Sequence, residues 1–198
     1  MNTYTWTQWA QMLAENYLED PSIAIQFRGV QDGQALLAVQ CAGMCRAFSR
    51  VGGVTTCGDL AGIALGYFTG DEERLMQALQ EEQAELLRQF PTETLAAVQQ
   101  NTAEVAKIAQ PNWYERLLGQ REVYILQAIA VRKDLRGTGI FRKVISPVLS
   151  EAERRGIPVV LQAFEPDNVR KYEHMGFQCM ETVPSETLDL TCYNLLKR

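Results

Sequence analysis

Two glycines separated by one residue stand in the stretch LRGTGIFRK, at positions 135–143. An apolar run, YILQAIAV, precedes them and a helical pattern follows. A strand, a glycine turn and a helix N-terminus bring unpaired N–H groups to one point, which suits an anion. The alternative is a tight turn that needs glycine and nothing more. A Walker loop is excluded because no GK[ST] follows, and Arg142 stands where a dinucleotide fingerprint has its third glycine.

A second group of chemically capable residues follows the next apolar run. VVLQAFEPDN ends in Asn168, Tyr172 comes four residues later, and a Gly-Phe pair lies at 176–177. With the loop, which matches [QR]xxGx[GA] except at its last place, this order resembles the GNAT superfamily of acyl-CoA-dependent N-acetyltransferases. The resemblance covers about 123–195 and, more loosely, 54–68. In finer detail the chain looks most like the puromycin-type branch.

The resemblance implies acetyl-CoA as co-substrate. Backbone N–H groups of the loop would hold its pyrophosphate, and the pantetheine arm would run beside the preceding strand as a false extra strand. The loop residues are Arg136, Gly137, Thr138, Gly139, Ile140 and Phe141, and the strand residues are Ile129, Ala130 and Val131. Phe141 replaces the family's glycine or alanine, so its ring either narrows the phosphate site or points into the core.

Acetyl transfer to an amine requires two proton movements. An amine with a pKa of ~10.4 is less than ~0.1% free nucleophile at pH 7, and the departing thiolate needs a donor. Tyr172 holds the family's position for the donor, and Asn168 would hold the pantetheine amide or the catalytic turn. The alternatives are a packing tyrosine and a helix-start residue. The base is left open among Glu122, His174, a water chain and the free-amine fraction, since Gln127 cannot accept a proton usefully.

Two regions are expected to contact the acceptor. Gln127 shares a face of the loop strand with Ile125, Ile129 and Val131. Trp113 and Tyr114 follow a helical tract at 71–110, and their rings suit a small organic amine. The tract and its aromatic residues therefore wall the acceptor pocket, or else they form a scaffold or a homodimer surface.

Composition limits the class of protein. The length of 198 residues argues for one domain. The net charge of -5 argues against nucleic acid or an anionic membrane as the main partner. Five cysteines without framework spacing indicate free thiols, and with no signal-like start they favour the cytoplasm. Cys41 and Cys45 lie four apart, but His174 is the only histidine, so no metal is expected.

The interpretation favoured is direct acetyl transfer from acetyl-CoA to the amine of a small molecule in a ternary complex. A non-catalytic acyl-CoA-binding regulatory module is the alternative from another class. It is supported by Phe141 and by the missing base, and opposed by the intact Tyr172 and Asn168. A protein N-acetyltransferase, or a toxin that acetylates tRNA, is the other alternative. The acidic chain disfavours the tRNA version.

These groups need a scaffold that joins the loop to two neighbouring strands. Apolar and β-branched runs predict strands at 54–57, 61–68, 123–131, 159–163, 177–183 and 188–195, with helical stripes elsewhere. The expected class is α/β with the GNAT fold: a mixed central sheet, helices on both faces, and a coenzyme slot between two central parallel strands. Residues 1–198 would form a single domain, with a helical insertion at 71–110 before the coenzyme-binding core at 123–195.

Overall fold

A computed structural model describes residues 3–119 and 122–198. The helices are α1 Thr3–Tyr17, α2 Pro21–Gln26, α3 Gly33–Arg50, α4 Glu72–Gln89, α5 Thr92–Ala106, α6 Trp113–Leu118, α7 Ile140–Arg155 and α8 Pro166–Glu173. The strands are β1 Val54–Cys57, β2 Gly62–Phe68, β3 Tyr124–Val131, β4 Val159–Ala163, β5 Gln178–Pro184 and β6 Thr191–Lys197. No helix within the described ranges has both the length and the apolar character needed to cross a bilayer.

The strands of the described ranges form one six-stranded sheet in the order β1-β2-β3-β4-β6-β5. All neighbours pair antiparallel except β3 and β4, which are parallel. One face buries apolar side chains with α1, α3 and α4, and the other buries them with α7 and α8. This arrangement confirms the predicted α/β class, with a mixed sheet, helices on both faces and a central parallel pair.

The parallel pair separates soon after it begins. β3 and β4 match only at Tyr124 with Val159 and at Ile125 with Val160, although both strands continue beyond these residues. Among the described residues, no strand therefore pairs with the β4-facing edge of β3 from Leu126 onward. Its backbone N–H and C=O groups on that side are available to a ligand.

A β-bulge coincides with this separation. Leu65 of β2 lies opposite Ala128, but the next residue, Gly66, lies opposite Leu126, so Gln127 is an extra residue on β3. A bulge bends its strand and reverses which side chains face which side. Ile125 and Ile129 accordingly pack in different clusters, so the expectation that Ile125, Gln127 and Ile129 share one face is wrong.

Close approach between α7 and β2 fixes the start of α7. A Cβ atom at Gly62 would lie 2.8 Å from Cγ2 of Ile140, the first residue of α7, so only glycine permits this spacing. The helix continues through Pro147 to Arg155 and ends at Gly156, as its basic last turn and terminal glycine indicate. The packing at Gly62 therefore sets where the N-terminus of α7 lies relative to the sheet.

The helices before β3 depart further from expectation. The short helices α2 and α6 were not expected from the sequence. α4 packs along α3, where Arg46 donates to Glu82 at 2.5 Å. α5 packs along α2. The helices of the 71–110 tract thus pack mainly on other helices. Leu75 of α4 also joins the core on one face of the sheet, and Val105 of α5 packs with Cys192 of β6.

Candidate functional site

A cavity of about 510 Å³ opens where β3 and β4 separate. Residues from β3, β4, the glycine loop, α8 and the C-terminal end of α1 line it. Those predicted from sequence are Gln127, Ile129, Val131, Arg136, Gly137, Gly139, Phe141, Asn168 and Tyr172. The main groups that sequence reasoning missed are Asn16, Tyr17, Glu19, Asp20, Gln162, Glu165 and Lys171. The slot, the loop and the predicted proton donor thus share one space.

The glycine loop has the geometry of an anion site. Gly137 and Gly139 have φ values of 78° and 86°, a region that side chains disfavour, and no atom lies within 4 Å of a Cβ built on either. The Thr138 hydroxyl donates to the Leu135 carbonyl at 2.6 Å, which closes the turn. The first N–H groups of α7 therefore face open space beside the cavity, with the positive end of the helix dipole behind them.

Two cations of the loop are held by Asn16 of α1 and by Glu19, which follows that helix. Arg136 donates to Asn16 Oδ1 at 2.8 Å and contacts Glu19 Oε2 at 2.7 Å, while Lys133 Nζ lies 2.8 Å from Glu19 Oε1. Hydrogen bonds from Lys133 and Arg136 lower the pKa of Glu19. The Glu19 carboxylate is thus charged at neutral pH and occupies both cations.

Not every predicted coenzyme residue turns its side chain to the cavity. Ile140 packs against Gly62, and the Thr138 hydroxyl is used within the loop. Ala130 is 1% exposed and packs with α1 and α3 on the other face of β3. For Ile140 and Ala130 the predicted role rests on backbone groups. The backbone N–H of Thr138 donates to the Leu135 carbonyl at 3.3 Å, so both donors of this residue are used within the loop.

Tyr172 projects into the cavity from α8. The half-buried ring stands edge-on between Phe141, at a centroid distance of 5.4 Å, and Phe177, at 5.5 Å. Burial, and then the negative charge of Asp20, raise the pKa of Tyr172. Of its two expected positions, Phe141 does not take the one in the core, since it lines the cavity and packs on the Tyr172 ring. The aromatic contacts hold the phenol in place, and its raised pKa keeps it protonated.

The remaining residues of α8 separate into two groups. Asn168 lines the cavity, and its Oδ1 accepts from Lys171 Nζ at 2.8 Å. His174 is exposed, and its Nδ1 contacts the Arg170 carbonyl at 2.6 Å. It is not among the residues that line the cavity, so the geometry gives no support to a histidine base.

The structure does not bring Trp113 and Tyr114 to the cavity. They are 2% and 4% exposed and pack with Val123, Val160 and Leu196 at the other end of the sheet face. These large aromatic rings were expected to bind a substrate, but they instead fill the space between α6 and the strands β3, β4 and β6. That placement corrects the expectation that these rings wall the acceptor pocket.

The missed acidic residues had a visible signal. Asp20 precedes Pro21, and Glu165 precedes Pro166, each at the start of a short helix. Asp20 Oδ1 accepts from the backbone N–H of Ser22 at 2.9 Å, the usual contact of an N-cap. An acid followed by proline indicates a helix start, but nothing local indicates that both starts face one cavity.

Comparison with solved structures finds acetyltransferases of similar fold. An acetyltransferase from Corynebacterium glutamicum, described as histone acetyltransferase HPA2 and related acetyltransferase, superimposes with a TM-score of 0.63 at 16% identity, over 100% of this chain and 92% of that one. An N-acetyltransferase from Staphylococcus aureus gives 0.60 at 12%, over 99% and 97%. Arylalkylamine N-acetyltransferase 2 from Aedes aegypti gives 0.59 at 16%, over 100% and 95%.

No model of a known protein family matches the chain, and no curated protein does. At such low identities the solved structures show the fold alone. The chain has the GNAT acetyltransferase fold over its whole length, which confirms the fold predicted from its two motifs. Placement in the puromycin-type branch stays a prediction.

Proposed function

We propose that this protein is an acetyl-CoA-dependent N-acetyltransferase that moves an acetyl group to the amine of a small molecule. The observation that supports this most is one cavity in which the glycine loop, the unpaired edge of β3 and Tyr172 meet. Acetyl transfer from a coenzyme A thioester requires three features of the protein. These are a site for the pyrophosphate, an edge that binds the extended pantetheine arm, and a proton donor. Five free thiols are consistent with a reducing compartment such as the cytoplasm.

The coenzyme is placed by backbone groups in this proposal. Backbone N–H groups of Gly137 and of Gly139 to Phe141 bind the pyrophosphate at the N-terminus of α7. The N–H groups of Arg136 and Thr138 already donate to loop carbonyls. The β4-facing edge of β3, from Leu126 to Val131, pairs with the amides of the pantetheine arm. Asn168, on the opposite wall, holds that arm where it passes α8. The thioester then reaches the part of the cavity that contains Tyr172.

The reaction proceeds by direct attack. The neutral amine nitrogen attacks the thioester carbon, the C–S bond breaks, and Tyr172 donates its proton to the departing sulfur. The proton that the nitrogen loses passes to water, and the tyrosinate takes one back from water, which restores the phenol. Its raised pKa suits it to this step, because the phenol remains protonated until the thiolate forms. None of the five cysteines lines the cavity, and burial raises the pKa of Cys41 and Cys45 to about 12. An acyl-cysteine intermediate therefore has no suitable thiol here.

Charge on the cavity wall supports an amine as acceptor. Asp20 and Glu165 both line the cavity, and neither forms an ion pair with a residue of the described ranges. Carboxylates attract an ammonium group and stabilise it near the site until its proton is lost. An anionic acceptor would be repelled by these two carboxylates.

The test measures released thiol from acetyl-CoA with a panel of primary amines: spermidine, phenethylamine, histamine and glucosamine. We expect amine-dependent release with at least one of them, and mass spectrometry should identify the N-acetyl product. A protein-only blank is needed because Cys179 is exposed and reacts with the thiol reagent. Tight acetyl-CoA binding without transfer to any amine would favour the regulatory alternative.

A further inference from the structure

Gln162 lies on β4 and lines the cavity from the side away from α7 and α8. Its neighbours Leu161 and Ala163 pack with α7 and α8, whereas Val160 packs with Trp113 on the opposite face. Because side chains alternate along a strand, Gln162 projects on the Val160 face. That face also receives α6, so the amide of Gln162 enters the cavity opposite α7 and α8.

A chain of hydrogen bonds runs from Gln162 to the surface. Gln162 Nε2 donates to Asn194 Oδ1 at 2.8 Å and to the Gln110 carbonyl at 3.2 Å. Asn194, which is 1% exposed, donates through Nδ2 to Glu181 Oε2 at 2.8 Å. Arg116 Nη2 donates to both Glu181 oxygens, at 2.8 and 2.7 Å. We refer to Gln162, Asn194, Glu181 and Arg116 as the amide chain.

The direction of the amide chain is fixed at two points. The Glu181 carboxylate and the Gln110 carbonyl can only accept, so the atoms facing them must be the NH2 groups of Asn194 and Gln162. The hydrogen bond to Arg116 lowers the pKa of Glu181, which keeps that carboxylate ionised and accepting. Both side-chain N–H bonds of Gln162 therefore donate within the protein. The group of this amide that is left to contact a ligand is the carbonyl oxygen, Oε1.

We propose that Gln162 binds the acceptor amine, its Oε1 accepting a hydrogen bond from the amine N–H, and that Asn194 positions it for this contact. The inference rests on the proposed function, since it names a substrate contact in the same cavity. A fixed acceptor selects a ligand that donates. Asp20 and Glu165 form no ion pair within the described ranges. Combined with their negative charge, this acceptor selects a primary amine that arrives in its cationic form.

The first test replaces Gln162 by leucine, which keeps the volume and removes Oε1. With the best amine of the panel above, we expect the amine KM to rise ~10-fold or more, as for loss of a hydrogen bond to a charged group, while the acetyl-CoA KM stays within ~2-fold. Gln178→Leu is the matched control, since Gln178 is an exposed glutamine on β5 outside the cavity.

Other results of this test overturn the inference. An unchanged amine KM would show that Oε1 makes no contact with the acceptor. A rise in the acetyl-CoA KM instead would assign Gln162 to the pantetheine arm. If wild-type protein transfers acetyl to no amine, the proposed function fails together with this inference. If wild-type protein is active and Gln162→Leu leaves the amine KM unchanged, only this inference fails.

The second test addresses positioning through Asn194. Asn194→Leu removes the acceptor that orients Gln162, so we expect the amine KM to rise several-fold, by ~5-fold, with kcat within ~2-fold. Glu181→Gln retains an acceptor for Asn194 and should leave the amine KM within ~2-fold. The positioning role would be refuted if Asn194→Leu lowered kcat by as large a factor as it raised the amine KM. It would also be refuted if Glu181→Gln raised the amine KM as much as Asn194→Leu does. If Asn194→Leu does not fold, Gln162→Leu decides the substrate contact by itself.

Discussion

The two halves of this molecule contribute to the cavity in different ways. Residues 122–198 supply the glycine loop, the β3 edge and Tyr172, at positions fixed by local backbone requirements such as a positive φ at Gly139. Residues 3–119 supply the C-terminal end of α1, which reaches the cavity because α1 packs on α3 and β3. One contribution is local to the sequence and the other depends on tertiary packing.

This difference explains what each half tolerates and what it reveals. A backbone site needs particular residues at particular spacings, so it leaves a motif that can be recognised. A wall built by packing needs only the right volume and charge at a place that the chain reaches by folding. The predictions below separate the two contributions, in order of decreasing effect.

Gly139→Glu should have the largest effect, because it acts on the backbone site directly. The carboxylate would lie at the N-terminus of α7, where it excludes the pyrophosphate by bulk and by like charge. We expect acetyl-CoA affinity measured by calorimetry to fall at least ~10³-fold, about 4 kcal/mol.

Gly156→Glu is the matched control for backbone strain. Gly156 also has a positive φ, of 68°, and no atom lies within 4 Å of a Cβ built there, but it ends α7 far along the chain from the loop. Its affinity for acetyl-CoA should remain within ~2-fold of wild type. Equal losses in both variants would mean that strain, and not occupation of an anion site, explains the result.

Trp113→Ala should act on stability and not on the acceptor. Because the ring is 2% exposed among Val123, Val160 and Leu196, its removal leaves a cavity that lowers the free energy of unfolding by ~3 kcal/mol or more. Urea denaturation measures this change. Leu117→Ala, at an exposed position of the same helix, should change stability by less than ~1 kcal/mol. A stable Trp113→Ala variant with a raised amine KM would restore the substrate role.

Tyr172→Phe should lower kcat by ~10²-fold while acetyl-CoA affinity stays nearly constant, because a proton donor acts in the transition state. Since burial raises the pKa of Tyr172, wild-type kcat should show no loss from tyrosine ionisation below pH ~10. Tyr193→Phe, a half-buried tyrosine of β6, is the control. Near wild-type turnover in Tyr172→Phe would assign the proton transfer to water or another group.

Glu19→Gln should have the smallest effect and the opposite sign. Its carboxylate occupies Arg136 and Lys133, so its neutralisation leaves both cations to the coenzyme phosphates and should raise acetyl-CoA affinity ~3-fold at low salt. The gain should fade as salt increases. Glu15→Gln, one turn earlier on α1 and in contact with Gln11, serves as control. A loss of affinity would mean that Glu19 orders the loop instead of competing for it.

Sequence alone predicted the second half well because its constraints are local. Gly137, Gly139 and the Asn168–Tyr172 spacing led to the fold, and the strands fell close to their expected places. It failed at Gln127, since a bulge is a register relation between two strands and has no signature in one. It failed at Trp113 because an aromatic ring suits a pocket and a core equally, and only packing distinguishes them.

The parts of the site that depend on tertiary packing were harder to predict, in both halves of the chain. Asp20 and Glu165 could be seen as acids before prolines, but their convergence is a property of the folded chain. The amide chain is the extreme case, because Gln162 and Asn194 lie on neighbouring antiparallel strands and Arg116 comes from a helix that the sequence did not predict.

The bulge at Gln127 also says how such a cavity can arise and be lost. A register offset changes only in whole residues, so substitution can reshape the walls of the slot but cannot remove the step itself. Deletion of one residue from β3 would restore regular pairing with β2 and remove the bend beside which β3 parts from β4. The presence of the slot therefore depends on the number of residues in β3. Insertion or deletion changes the slot itself, whereas substitutions change only the side chains that line it.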